Sequence, residues 1–136
     1  MIHTTQKEET EFAAFLGIDW ADQTHAWALQ IPNHSGVEHG EVAHTPEALE
    51  AWAAELAHRF GGRPNAVAVE QSRGALLFQL TKYAHLVLFP VHPATLASYR
   101  KGFRPSGAKS DPSDADLVVD LLVHHREKLR RLNPDS

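Results

Sequence analysis

Three hydrophobic patterns between residues 14 and 43 are typical of β-strands. Residues 14–21 form an apolar run that reaches Asp19, as expected for a buried central strand ending on a carboxylate. Residues 24–31 and 37–43 alternate between polar and apolar positions, and the turn-forming residues 32–36 join them. Because short turns connect all three segments, we predict an antiparallel meander.

The pattern then changes to alternating helices and strands. Thr45-Pro46 has the form of an N-cap followed by proline at the first helical position, and apolar residues recur at helical spacing up to about residue 60. Residues 66–70 and 86–91 are short apolar runs that predict two buried strands. Helical patterns follow them, over residues 74–83 and 93–101. The first of these two strands ends on an acid, as the first strand of the chain does.

The last predicted helix begins within residues 111–114, after a loop over residues 102–110. Its apolar stripe consists of Leu117, Val118, Leu121 and Leu122. The basic residues 126–131 extend beyond that stripe. We expect the helix to stop at Asn133-Pro134.

This order of elements favours an α/β fold of the ribonuclease H-like class. In that fold three antiparallel strands are followed by alternating helices and parallel strands, which together make a mixed sheet. A doubly wound sheet is disfavoured because the first three strands leave no room for crossover helices. We expect one domain over residues 13–132, preceded by a flexible segment of residues 1–12 that lacks apolar periodicity.

Composition narrows the class of protein. With 136 residues and 43% apolar residues, the chain is long enough for one buried core and too short for two. It has no cysteine and no apolar run long enough to cross a membrane, so we expect a cytoplasmic protein. The net charge of −4 excludes a generally basic nucleic-acid binder, and any such contact must be local. The ten histidines lack zinc-ligand spacing, and we interpret them as solvated or capping side chains.

Four acidic residues, Asp19, Glu70, Asp111 and Asp114, are the candidate catalytic and metal-binding group, and we refer to them as the acidic set. Asp19 and Glu70 end strands that are neighbours in the ribonuclease H-like order. Asp111 and Asp114 are three residues apart, on one face of the predicted helix. Carboxylates that converge at a sheet edge repel one another unless a cation neutralises them. Oxygen ligands without histidine or cysteine favour Mg²⁺ or Mn²⁺.

Each acid also has a purely structural interpretation. Asp111 is followed by proline and is a good N-cap, with Asp114 as the capping-box acid at the third helical position. The two acids at strand ends can be turn residues, as Asp22 is most simply explained. Asp116 and Asp120 lie off the face shared by the acids of the last helix, and we expect them to be solvated.

Four basic residues stand just before the acids of the last helix, and we refer to them as the basic set: Arg100, Lys101, Arg104 and Lys109. Two aromatic residues, Tyr99 and Phe103, lie among them, and basic residues interleaved with aromatic ones suit a nucleic-acid backbone. The alternative is a solvated hinge. The nucleic acid would then follow the basic end of the last helix, which consists of Arg126, Lys128, Arg130 and Arg131.

These residues resemble the motifs of the N-terminal RuvC-like domain of DEDD transposases, the family of insertion sequence 110. The resemblance covers about residues 15–132. The matching motifs are Gly17-Ile18-Asp19, Glu70 with Ser72 and Gly74, Val91-His92-Pro93, and Lys109-Ser110-Asp111-Pro112-Ser113-Asp114-Ala115. The Lys-Ser-Asp-x-x-Asp-Ala run is the most specific, whereas Gly-Ile-Asp also occurs in sugar kinases and actin-like ATPases. The sequence departs from the family at Arg73, where a small residue is common, and at Leu76 or Leu77, where an aromatic residue is common; these departures concern substrate contacts.

The resemblance implies that the acidic set binds Mg²⁺ at the scissile DNA. It also implies a structured guide RNA that selects donor and target DNA, and a C-terminal domain with a nucleophilic serine, to which residues 133–136 would lead. That domain would come from the same or another protomer of a homo-oligomer. On this basis we expect the 136-residue chain alone to be inactive as a recombinase.

Three other functions compete with this one. A RuvC-like structure-specific nuclease would differ in cutting strands without rejoining them. A non-catalytic scaffold for RNA or DNA would retain RNA binding after loss of the acids. An actin-like ATPase or kinase lobe would need a glycine-rich phosphate loop after the first acid, and residues 20–24 contain no glycine.

Overall fold

The computed structural model describes residues 12–21, 23–71, 74–102 and 113–132, and within them it has the predicted mixed α/β fold with a five-stranded sheet. The strands are β1 (Ala14–Asp19), β2 (Thr24–Gln30), β3 (Val37–Ala43), β4 (Asn65–Glu70) and β5 (Leu86–Val91). The helices are α1 (Pro46–Arg59), α2 (Gly74–Leu80), α3 (Pro93–Gly102) and α4 (Asp114–His124), and a 3₁₀ turn follows at Arg126–Lys128.

The strands lie in the order β3-β2-β1-β4-β5. Strands β1 and β2 pair antiparallel, as do β2 and β3, whereas β1 pairs parallel with β4 and β4 parallel with β5. The continuously apolar strands β1 and β4 are central and buried, and the polar strand β3 is an exposed edge. The carboxyl ends of β1 and β4 therefore lie side by side.

Helices cover both faces of the sheet. Successive side chains of a strand point to opposite faces, so each central strand contributes residues to both cores. On one face Leu16 and Ile18 of β1 pack with α1 and α2. On the other face Phe15 of β1 and the alanines Ala66 and Ala68 of β4 pack with α3 and α4. The small alanines allow helix α4 to lie close to the sheet.

Gly17 sets how closely α4 approaches β1. A Cβ atom at this position would lie 2.5 Å from the backbone nitrogen of Val119 and 2.6 Å from the carbonyl oxygen of Ala115. Both are backbone atoms of the helix, so no side-chain rotation could relieve the contact. The glycine thereby fixes the position of the first turns of α4 over the centre of the sheet.

Helix α4 runs antiparallel to β1. Its first turns lie over Gly17, whereas Arg126, just beyond its C-terminal end, lies at the start of β1. There the guanidinium carbon is 5.2 Å from the ring centroid of Phe12 and 5.8 Å from that of Phe15. The N-terminus of α4 is therefore at the same end of the sheet as the carboxyl ends of β1 and β4.

Phe12 belongs to the core. Its side chain is only 2% exposed, and its ring makes edge-on contacts with Phe15 and Phe89 at centroid distances of 6.0 Å. The prediction of a flexible segment that includes residue 12 is therefore wrong at this position, and residues 1–11 lie outside the described part of the chain.

Both ends of α4 differ from the predicted ends. The helix begins at Asp114 with Ser113 as its N-cap, so the interpretation of Asp114 as a third helical residue capped by Asp111 is wrong. It ends at His124, well before Asn133-Pro134, because the chain leaves helical geometry at His125. The basic residues that were predicted to extend the helix instead follow it.

Residues 129–132 run beside the outer edge of β5. The backbone N–H of Leu132 donates to the carbonyl oxygen of Leu88 over 2.7 Å, and Leu129 packs against the core on the α4 side. The guanidinium carbon of Arg131 lies 6.0 Å from the ring centroid of Phe12. Part of the basic end of the chain is thus folded back onto the domain.

Candidate active site

Asp19 and Glu70 stand on adjacent strands at the same edge of the sheet. In the parallel register Ile18 pairs with Val69. Asp19 and Glu70 are the next residues of their strands. Strand alternation puts both on the face that packs against α4, because Asp19 is two residues beyond Gly17 and Glu70 is two beyond Ala68. Both side chains are partly buried. The sequence prediction that these two carboxylates are neighbours agrees with this register.

Asp114 approaches the same end of the sheet from the first turn of α4. Ser113 holds this turn, because its hydroxyl oxygen accepts a hydrogen bond from the backbone N–H of Asp116 over 3.1 Å. The Asp114 carboxylate is 46% exposed, and its Oδ1 atom lies 2.5 Å from Nη2 of Arg100, on α3. A member of the basic set therefore contacts a member of the acidic set.

The described acids do not form a complete metal site. Among residues 12–21, 23–71, 74–102 and 113–132, no three histidine, cysteine or acidic side chains are close enough together to hold a metal ion. Asp111 lies outside these ranges. The structure thus brings Asp19 and Glu70 together and puts Asp114 at the same end of the sheet, paired with arginine.

Asp116 is held within the domain and is not simply solvated, in contrast to the sequence prediction. His39 of the edge strand β3 donates to its Oδ1 atom over 2.6 Å, and the Ser113 hydroxyl donates to its Oδ2 atom over 2.9 Å. Burial alone would raise the pKa of Asp116, but these hydrogen bonds outweigh burial and lower it. Strand β3 is thereby tied to the first turn of α4.

Asp120 also has partners, so the prediction that it is solvated is wrong too. The Tyr99 hydroxyl donates to its Oδ2 atom, and Nε2 of His124 lies 3.5 Å from Oδ1. Burial, together with the carboxylate, raises the pKa of Tyr99 well above its ordinary value. This contact joins the last turns of α3 to the middle of α4.

Half of the basic set can be described. Arg100 and Lys101 lie exposed on the last turns of α3, whereas Arg104 and Lys109 lie outside the described residues. In the alternative basic path, Arg126 and Arg131 lie over the ring of Phe12. These two side chains therefore cover an aromatic ring of the core, in addition to any contact with a ligand.

A buried histidine cluster next to Asp19 was missed by the sequence analysis. His25 of β2 is fully buried, and its ring lies 4.6 Å from that of Trp20 and 5.0 Å from that of His44. Its Nδ1 atom accepts the backbone N–H of Ala21 over 3.1 Å, so the ring proton is on Nε2, which is 3.0 Å from Nδ1 of His44. Burial, and secondarily His44, lower the pKa of His25.

The interpretation of the histidines as solvated or capping is therefore wrong for His25. The sequence contained a signal for its burial, because His25 alternates in phase with Trp27 and Leu29 along β2. The cluster holds the backbone that follows Asp19 through the hydrogen bond to Ala21.

Comparison with known proteins gives the family. The family model of the IS110 DEDD transposases, described as a transposase, matches residues 16–136, and the chain belongs to this family. It is also 28% identical over 130 residues to a Streptomyces coelicolor protein described as a mini-circle transposase for IS117. That match covers 94% of this chain and 31% of the relative, so the chain spans about a third of the relative's length. No helix in the described part of the chain is long and apolar enough to cross a membrane.

The side chains at this end of the sheet suit a hard divalent cation. Asp19, Glu70 and Asp114 offer carboxylate oxygens, which Mg²⁺ and Mn²⁺ prefer over nitrogen or sulfur. His25 uses both of its ring nitrogens in hydrogen bonds, with the backbone of Ala21 and with His44. The donor set therefore fits the kind of metal that DEDD transposases in general use.

Proposed function

We propose that this chain is the catalytic-metal domain of a DNA transposase, with a ribonuclease H-like, RuvC-like fold. In the complete protein it would serve Mg²⁺-dependent cleavage and exchange of DNA strands. The observation that supports the proposal is that Asp19, Glu70 and the N-terminus of α4 lie at the same end of the sheet, in a member of a transposase family.

Each acid has a distinct part in this proposal. Asp19 and Glu70, on rigid central strands, would form the fixed side of the metal site, and Asp114 would complete it from the helix with Asp111. The bound cation would neutralise charge that develops at the scissile phosphate. The packing of α4 on Gly17 determines how far Asp114 stands from the two strand acids.

The partners of the complete protein are proposals as well. The basic set would contact the phosphate backbone of donor or target DNA next to the acids. A structured guide RNA would select the DNA, and a serine in a C-terminal domain, from the same or another protomer of a homo-oligomer, would attack the strand. This chain alone would then hold metal and backbone without forming a covalent link to DNA.

Calorimetric titration of the 136-residue chain with Mn²⁺ tests the metal site. We expect weak binding that is lost in Asp19→Asn, because this substitution removes a charge from the fixed side of the site with little change in shape. Glu47→Gln is the matched control, since Glu47 is an exposed acid on the first turn of α1. Equal Mn²⁺ binding by both variants would contradict the proposal.

A non-catalytic nucleic-acid scaffold is the second candidate. It is favoured by one observation, the pairing of Asp114 with Arg100, which neutralises an acid without metal. A scaffold would bind RNA or DNA equally well after the Asp19→Asn substitution and without divalent metal. A nuclease of the RuvC type would instead leave cut and unjoined strands in an assay of the full-length protein.

A further inference from the structure

Arg100 is held next to the acidic set by the packing of α3 on α4. Leu96 of α3 is buried in the same core as the apolar side of α4, and the Tyr99 hydroxyl donates to Asp120. The following residue, Arg100, thereby reaches the first turn of α4, where its Nη2 atom donates to Oδ1 of Asp114. The arginine position is thus set by the fold and not by the ion pair alone.

The guanidinium group and a divalent cation compete for the same carboxylate. Within the described part of the chain, Arg100 is the partner of Asp114. A metal ion bound to Asp114 would bring two positive charges to within a few ångströms of a third, and they repel one another, although solvent screens charges this exposed. Metal binding is therefore weakened unless the guanidinium moves or gains a negative partner of its own.

The ion pair is suited to exchange. Arg100 is 49% exposed and Asp114 46% exposed, and ion pairs this exposed contribute little to stability. Only one of the five guanidinium N–H donors contacts Asp114. Among the described residues Asp114 is the ion-pair partner of Arg100, and arginine can bind a phosphate group through two parallel hydrogen bonds.

From this geometry we propose that Arg100 takes the place of the divalent cation at Asp114 and releases that carboxylate when a nucleic-acid phosphate binds the arginine. Metal and nucleic acid then bind with positive coupling, and the free domain has low metal affinity. The inference rests on the proposed function, since it concerns regulation of the same acidic set. It adds a specific role for Arg100 beyond backbone contact.

The experiment measures Mn²⁺ affinity of the 136-residue chain by calorimetry, with and without a mixed-sequence DNA duplex, using duplex alone as the blank. We expect Arg100→Ala to bind Mn²⁺ about two- to fivefold more tightly than the unmodified chain in the absence of DNA. DNA should raise the affinity of the unmodified chain by a similar factor and leave that of Arg100→Ala unchanged. A matched RNA duplex identifies the source of the phosphate, and coupling to either nucleic acid supports the exchange.

Two further variants separate a direct contact from a general effect of charge. Lys101→Ala removes the same charge one residue away and should change Mn²⁺ affinity less than Arg100→Ala. In an Asp114→Asn background, Arg100→Ala should no longer raise the affinity. Equal effects of Arg100→Ala and Lys101→Ala, or an undiminished effect of Arg100→Ala in the Asp114→Asn background, would overturn the inference.

The outcome also distinguishes this inference from the proposed function. If Mn²⁺ binds in an Asp19-dependent manner and Arg100→Ala has no effect, the metal site stands and the exchange is refuted. If no variant binds Mn²⁺ with or without DNA, both are refuted.

Discussion

Substitution of Gly17 by alanine tests the link between the packing of α4 and the proposed metal site. The added Cβ would meet two backbone atoms of α4 at 2.5 and 2.6 Å, and α4 must retreat by about 0.5 Å before the nearest contact reaches 3.0 Å. Overpacking of this kind costs about 2–3 kcal/mol, at the upper part of its usual range, because backbone atoms cannot rotate away. Reduced freedom of the unfolded chain offsets about 0.5 kcal/mol of this.

The expected net loss is therefore about 2 kcal/mol, which lowers the melting temperature of a domain of this size by roughly 6–10 °C. Thermal unfolding followed by circular dichroism measures this shift. Calorimetry with Mn²⁺ should also show weaker binding by the folded Gly17→Ala protein, because Asp114 moves with the helix away from Asp19 and Glu70.

Gly36→Ala is the matched control. Nothing lies within 4 Å of a Cβ atom at Gly36, so this substitution should leave stability unchanged or raise it by about 0.4–1 kcal/mol. Equal melting temperatures of Gly17→Ala and Gly36→Ala would show that α4 can move without loss of stability. That result would refute this account of how the helix is positioned. A destabilised Gly17→Ala protein with undiminished Mn²⁺ affinity would refute only the link to the site.

Two further predictions concern the basic set and the buried histidine. Neutralising all four members of the basic set should weaken DNA binding by the full-length protein. The slope of log binding constant against log salt concentration should flatten by up to about 0.9 for each lost phosphate contact. An unchanged slope would favour the hinge interpretation. Because the pKa of His25 is lowered in the folded chain, the unfolded chain takes up its proton first as the pH falls below 6.5, so the free energy of unfolding should decrease there. Urea unfolding at a series of pH values should show this decrease, and His25→Gln should reduce it while the exposed His58→Gln does not; parallel profiles for the two variants would contradict the assignment.

The order of apolar and polar residues along the chain was sufficient to predict the strands whose side chains are buried. Strands β1 and β4 are apolar throughout because both faces are covered, whereas the edge strand β3 is mostly polar because Val42 is its one buried residue. The neighbouring positions of Asp19 and Glu70 followed from the order of these elements. These predictions depended on residues close together in sequence or on strand order alone.

Contacts between distant residues could not be predicted in the same way. The residues of the Arg100–Asp114 pair are 14 positions apart, and those of the His39–Asp116 pair are 77 apart. Neither pair produces a periodic pattern in the sequence. The error at the start of α4 had a different cause, since Asp111 and Ser113 are both good N-cap residues. The Ser113 hydroxyl caps the backbone N–H of Asp116 and also donates to the Asp116 carboxylate, and these two hydrogen bonds stabilise the start at Asp114.

The two outer strands of the sheet bear on how copies of this domain can associate. A strand edge with unpaired backbone groups is a template for another chain, and proteins protect such edges in several ways. At β5 the hydrogen bond from Leu132 to Leu88 brings the chain's own backbone alongside the edge. At β3 Glu38 is paired with Arg59 of α1, whereas Glu41 is exposed, so a second copy pairing through its own β3 would add another Glu41 carboxylate to the same edge. Pairing of two copies of this domain through an outer strand of the sheet is therefore opposed, at β5 by the chain's own backbone and at β3 by charge.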